Sequence, residues 1–216
     1  MKNNKTVLIT GASGGIGYEL AKLFAHDNYN LVLVARNKEK LEEISKELKE
    51  NKDISIKIIN SDLSKHDSPT KIFEEIHRSR LHIDILVNNA GFGDYGLFAE
   101  ADLEKTLEMI QLNITSLTHL TRLFLPEMLK YNYGKILNIA STAAFQPGPL
   151  MAVYYATKAY VLSFSQALNS ELEKTNLSVS TLCPGPTATN FKDAAGLEAS
   201  NLFKMHVMDA KIVAAK

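Results

Sequence analysis

At 216 residues, with 45% apolar and 22% charged side chains, the chain has the size and balance of one globular domain, taken as 1–216. Lys plus Arg and Asp plus Glu number 24 each, and no dense basic run breaks that balance, which argues against nucleic acid or an anionic membrane as partner. The lone cysteine, Cys183, excludes an internal disulfide and argues against a cysteine-based metal site; no metal is expected.

The opening "MKNNKTVLIT" has too short an apolar run for a signal peptide. The longest such run, Leu31 to Ala35, is far too short to span a bilayer, so a cytoplasmic protein is expected. Short apolar runs at 6–10, 31–35, 54–59, 83–87, 135–140 and 177–183 alternate with helical patterns at 15–26, 38–50, 69–79, 103–130 and 154–174. Several runs are β-branched and apolar on both faces, as strands buried between helix layers are. Strand–helix–strand repeated this way predicts an α/β fold, a doubly wound parallel sheet flanked by helices.

The first strand runs into "TGASGGIG" and then a helix. Glycines at Gly11, Gly15 and Gly17 let the chain turn sharply and come close to a ligand. The helix N-terminus then offers free amides to a pyrophosphate, with Ser13 as a further donor. Thr10, Gly11, Gly15 and Gly17 match the pattern T-G-x-x-x-G-x-G, and here the chain resembles the short-chain dehydrogenase/reductase family. The resemblance implies a Rossmann-like sheet with strand order 3-2-1-4-5-6, and a cofactor against Gly11, Ser13, Gly15, Ile16 and Gly17.

The second strand ends in Ala35 and Arg36, followed by Asn37 and Lys38. An acidic residue at that position favours NAD, and an arginine accommodates the 2′-phosphate of NADP. With no carboxylate there to repel a phosphate, Arg36 predicts NADP(H). The resemblance adds Asp62 and Leu63, after the third strand, around the adenine.

The fourth strand enters "NNAG" (88–91), small residues at the edge where parallel sheets bind ligands. Without the family this is also a tight turn held by asparagines. The family carries the same motif, which places Asn88, Ala90 and Gly91 along the cofactor, while Asn89 is read as holding the sheet together.

The fifth strand ends at Ser141, and "VYYATKAY" (153–160) follows. Tyr154 and Lys158 are i,i+4 neighbours on a helix, and Tyr155 and Lys158 are i,i+3 neighbours, so helical geometry does not choose between the tyrosines. The family motif Y-x-x-x-K selects Tyr154, with Ser141 at the usual separation before it. Tyr155 is then expected to pack against the sheet or a partner subunit. A lysine charge ~4 Å away would supply roughly the ~4 kcal/mol needed to bring a phenol from ~10 to about 7. Asn113 matches the family's fourth catalytic member, which holds a water beyond Lys158. By the same resemblance Lys158 also binds the nicotinamide ribose.

After the sixth strand, "CPGPTATNF" (183–191) is a stiff turn, and the family brings Pro184, Gly185 and Thr187 to the nicotinamide. The segment 188–206 is expected to form a substrate lid carrying Phe191, Leu197, Leu202, Phe203 and Met205. "MDAKIVAAK" (208–216) reads as a helix with no capping residue. Family members usually add a seventh parallel strand; its absence predicts a C-terminally shortened chain whose apolar sixth strand is an unprotected edge.

The resemblance is to the carbonyl-reducing branch. It implies an NADP(H)-dependent oxidoreductase acting on CH–OH donors or the matching small-to-medium carbonyls, assembled as a homodimer or homotetramer through 103–130 and 154–174. The competing reading is a non-catalytic NADP-binding regulatory or scaffold protein. A lyase, epimerase or dehydratase on the same scaffold is weaker, for want of room for an added substrate domain.

Overall fold

The computed structural model describes residues 5–50, 52–189, 191 and 207–216. Six strands, β1 (Thr6–Thr10), β2 (Asn30–Ala35), β3 (Ile56–Asn60), β4 (Ile85–Asn88), β5 (Gly134–Ile139) and β6 (Leu177–Leu182), form one sheet. Their order is β3-β2-β1-β4-β5-β6 and every pairing is parallel. The chain winds outward from β1 in both directions, so the strand order reverses between β1 and β4, and ligands bind at the carboxyl edge of such a reversal.

The pleat sends alternate side chains to opposite faces. Val7 and Ile9 of β1 pack on one side with Leu20, Ala21, Leu41 and Ile44, from α1 (Gly15–His26) and α2 (Lys38–Lys49). Leu8 turns to the other side, where Ile72, Phe124 and Leu168 come from α3 (Ser68–Arg78), α5 (Leu117–Tyr131) and α6 (Ala152–Glu171). Both faces are covered, which explains strands that are apolar throughout.

The helix expected over 103–130 is present, but it is not α-helical throughout. It comprises α4 (Leu103–Ile110), a π-helical turn at Gln111–Ser116, and α5. The wider turn buries Asn113 and Ser116, and Ser116 Oγ donates to the Leu63 carbonyl at 2.6 Å.

Among the described residues β6 is an edge strand, but it is less bare than expected. Ser178 and Ser180 are its exposed positions, and Asn169 Oδ1 accepts the Val179 amide at 3.0 Å. The C-terminal stretch also differs from expectation. β7 (Thr187–Ala188) pairs in parallel with β8 (Met208–Asp209). A short helix, α7 (Ala210–Ala214), follows, and Asp209 caps it by accepting the Lys211 amide at 2.7 Å. Val213 and Ala214 are buried, Ala214 in the core cluster that α1 shares. Among the described residues no helix is long and apolar enough to cross a membrane.

Candidate active site

A cavity of about 790 Å³ runs along the carboxyl edge of the sheet, from Arg36 at one end to Met151 and Tyr154 at the other. That volume suits a cofactor-sized ligand. Its floor is the loop between β1 and α1. Gly11 and Gly15 have φ of +65° and +54°, which side chains with a Cβ adopt at a cost. Gly14 at the N-cap provides no side-chain acceptor for the first helical amides. Those amides and the helix dipole are the equipment of an anion site, so the loop fits a pyrophosphate.

Thr10 and Asn89 hold this loop in place. Thr10 Oγ1 accepts the amides of Asn89 and Ala90 at 2.9 and 3.0 Å. Asn89 Nδ2 donates to the carbonyls of Thr10 and Gly11 at 2.9 and 3.2 Å. A Cβ on Gly17 would stand 2.5 Å from that same nitrogen, so Gly17 serves packing between helix and loop.

At the Arg36 end, Asp62 and Leu63 line the wall, with Ser13 nearby on the cavity. Arg36 is exposed, while Asn60 Nδ2 holds its carbonyl at 2.6 Å. Asp62 Oδ1 accepts from the amide and hydroxyl of Ser64 at 3.0 and 2.9 Å. The expectation that no carboxylate stands here needs correction, because Glu39, in the first turn of α2, lines the same mouth.

The other end gathers Ser141, Tyr154 and Lys158. β5 delivers Ser141, whose Oγ accepts the Ala143 amide at 3.1 Å and reaches the Pro184 carbonyl at 3.3 Å. α6 delivers Tyr154 and Lys158, both buried. Lys158 Nζ donates to the Ile139 carbonyl at 2.8 Å and lies 5.8 Å from the centroid of the Tyr154 ring. Burial pushes the Tyr154 phenol up to about 12, against a hydrogen bond from Ser141 that pulls it down. Burial pulls the Lys158 ammonium down to about 8. The expected lowering of the tyrosine toward neutrality is therefore absent in the chain by itself: desolvation of the phenolate outweighs its partners.

Three expected site residues lie behind the cavity wall instead of on it. Gly17 is one. Asn88 is 3% exposed and donates through Nδ2 to Thr121 Oγ1 and Asn138 Oδ1 at 3.1 and 2.9 Å. Its side chain belongs to a buried polar network and not to the cavity lining, while Asn89 ties the end of β4 to the end of β1, as expected of a residue that holds the sheet together. Asn113 is 2% exposed. Its Oδ1 accepts the Phe92 amide at 3.1 Å, and its Nδ2 donates to the Phe92 carbonyl at 2.9 Å and to Thr157 Oγ1 at 3.0 Å. The side chain thereby fixes the loop after β4.

Ile16, Ala90, Gly91, Pro184, Gly185 and Thr187 do line the cavity. The Thr187 hydroxyl donates to the Gly185 carbonyl at 2.9 Å. Sequence reasoning missed Thr189, whose Cγ2 would lie 2.8 Å from a Cβ on Gly15, and it missed Tyr155 and Gln146, both on the cavity. Tyr155 packs beside Tyr154, ring centroids 6.1 Å apart. Phe191 meets the Tyr154 ring at 5.3 Å. Leu197, Leu202, Phe203 and Met205, the rest of the expected lid, fall outside the described residues.

A family model described as short chain dehydrogenase matches residues 5–199. An uncharacterized oxidoreductase of Staphylococcus epidermidis is 33% identical over 204 residues, covering 92% of this chain and 87% of the relative. A very-long-chain 3-oxoacyl-CoA reductase of Anas platyrhynchos is 36% identical over 189 residues, which are 84% of this chain and 59% of that longer protein. Among solved structures, a short-chain dehydrogenase from Sphingobium yanoikuyae in complex with NADPH superimposes with a TM-score of 0.91 at 34% identity, covering 98% of this chain and 82% of that one.

Proposed function

The chain belongs to the short-chain dehydrogenase family, a family of oxidoreductases, and from that premise we propose that it is an NADP(H)-dependent carbonyl reductase. One observation carries the reading: Ser141, Tyr154 and Lys158 converge at one end of a single cavity whose other end carries Arg36.

In the proposed reaction Tyr154 gives its phenolic proton to the oxygen of a small or medium carbonyl substrate. Bound reduced nicotinamide supplies the hydride to the carbon. A phenol that stays protonated well above neutral pH is in the right form for this direction. Ser141 hydrogen-bonds the same oxygen and steadies its developing charge. Lys158, buried close by, stabilises the phenolate left behind and binds the nicotinamide ribose. Asn113 acts as a positioning residue: it fixes Phe92 on the cavity wall and, through Thr157, the carbonyl of Tyr154, to which Thr157 Oγ1 donates at 2.7 Å.

The loop Gly11, Ser13, Gly15 and Ile16 takes the pyrophosphate, with Gly17 and Asn89 shaping it. Arg36 takes the 2′-phosphate, and Asp62 and Leu63 take the adenine. Ala90, Gly91, Pro184, Gly185 and Thr187 flank the nicotinamide. Residues 1–216 act as one dinucleotide-binding and catalytic domain, in the cytoplasm, as a homo-oligomer.

Titration with NADPH and NADH, followed by a panel of ketones and aldehydes, tests the proposal. Tight NADPH binding, weaker NADH binding and carbonyl-dependent NADPH oxidation are expected. Binding without turnover across the panel would leave a cofactor-binding protein and overturn the enzyme reading.

A further inference from the structure

We infer that Tyr155, seated on Gly148, is the wall that limits how bulky a group the carbonyl substrate can carry; this rests on reading the cavity as a carbonyl-reducing site. Tyr155 lines the cavity next to Tyr154 and packs with Met151 and Phe191 around the reacting end. Its ring stands nearly perpendicular to the Tyr154 ring, at 77°. A Cβ added to Gly148 would overlap Cδ1, Cδ2 and Cε2 of Tyr155 alike, so one of the two must shift. Atoms from both sides of the ring at similar range mean that Gly148 lies against the ring face.

Gly148 is not among the residues lining the cavity, whereas Tyr155 is. With Gly148 against its ring and Tyr155 on the cavity, a push from Gly148 is expected to move the ring toward the cavity. The backbone under the pair has little room to give. Met151 N donates to the Gly148 carbonyl at 3.1 Å, and Tyr155 N donates to the Met151 carbonyl at 3.0 Å. Between them Leu150 is held at φ +65°, costly for a branched side chain. Its carbonyl is tied to the Gly96 amide at 2.8 Å. A methyl group at 148 is thus absorbed by the ring.

The test compares acetophenone with the bulkier 2-acetonaphthone, on wild type, Tyr155→Ala, Gly148→Ala and the double variant. Tyr155→Ala should raise the ratio of kcat/KM for the large over the small ketone about ten-fold, mainly through KM. Gly148→Ala should lower it by a similar factor. In the double variant Gly148→Ala should have no effect, because no ring remains to be pushed. The Kd for NADPH should be the same in all four, which shows that each folds. Ratios within about two-fold of wild type in every variant overturn the inference, as does a Gly148→Ala effect that persists without the ring. If wild type reduces neither ketone, the reductase reading is decided by the wider carbonyl panel and not by this pair. The filter is then judged by calorimetric binding of the same two ketones in the presence of NADP+, with the same pattern required and its absence overturning it.

Discussion

Lys158 donates its ammonium to the carbonyl oxygen of Ile139 across 2.8 Å, deep under the cavity. A neutral carbonyl repays little of the cost of burying a charge. The ammonium is accordingly pulled down to about 8, while burial pushes the neighbouring Tyr154 phenol up to about 12. Burial thus shifts each group toward its uncharged form.

That relationship makes folding stability depend on alkaline pH with two opposite signs. Below pH 8 Lys158 is charged in both folded and unfolded chains, and the full penalty of about 3 kcal/mol is present. Between about 8 and 10.5 the unfolded chain holds the extra proton, so stability rises with pH. Tyr154 contributes stability that is complete below its unfolded value of 10.0 and is lost as pH rises toward 12. Urea melts of wild type and Lys158→Met at pH 7, 9 and 10 read the first of these. The variant should be more stable at pH 7, and its advantage should shrink by pH 10. A constant difference would show that the lysine is not held this way.

The two tyrosines separate by chemistry. Tyr154→Phe removes the proton donor and should lower kcat by about 10²–10⁴ with NADPH affinity kept. Tyr155→Phe leaves the ring in the wall and should keep kcat within about three-fold of wild type, since no proton passes through it. Steady-state kinetics on one reduced ketone decide; a dead Tyr155→Phe would reverse the assignment.

Much of this was legible in the sequence, for identifiable reasons. The strand–glycine–helix unit and the apolar runs reflect local backbone needs and pointed to a doubly wound parallel sheet, while its strand order came from the family resemblance. Ser141 and Lys158 were readable as a strand end and a helix face, but the choice of Tyr154 over Tyr155 came from the family motif. The burial of the Asn88 side chain was not legible because adjacent residues at a strand end face opposite ways, and nothing local says which one meets the buried Asn138. The π-helical turn was invisible because its cause is tertiary: Asn113 and Ser116 bond to Phe92 and Leu63, distant in the chain. Glu39 escaped because the eye stops at the strand end, while a helix's first turn comes back to the same mouth.

Arg36 and Glu39 share that mouth with opposite charges, and this predicts a graded cofactor preference. Arg36→Asp should weaken NADPH binding by about 100-fold and NADH binding far less, because only NADPH carries the 2′-phosphate. Glu39→Gln should tighten NADPH a few-fold by removing a repulsion screened by solvent. Fluorescence titrations with both cofactors test the pair. Equal losses of NADPH and NADH in Arg36→Asp would remove the 2′-phosphate assignment.

Asn88 and Asn89 differ in what they hold, so their variants should differ in kind. Asn88 joins Thr121 and, through Asn138, Ser165, to which Asn138 Nδ2 donates at 2.8 Å, in a network closed to solvent. Asn88→Ala leaves Asn138 Oδ1 without this donor and should cost about 1–3 kcal/mol of stability, with the NADPH Kd little changed once folded. Asn89→Ala releases the carbonyls of Thr10 and Gly11 from the amide that sets the glycine loop. If that loop presents its amides to the pyrophosphate as proposed, it can do so only in one shape, so NADPH affinity should fall at least ten-fold. Thermal melts and NADPH titrations on both variants form the test. Should Asn88→Ala lose affinity without losing stability, Asn88 would regain the place along the cofactor that its burial denies it.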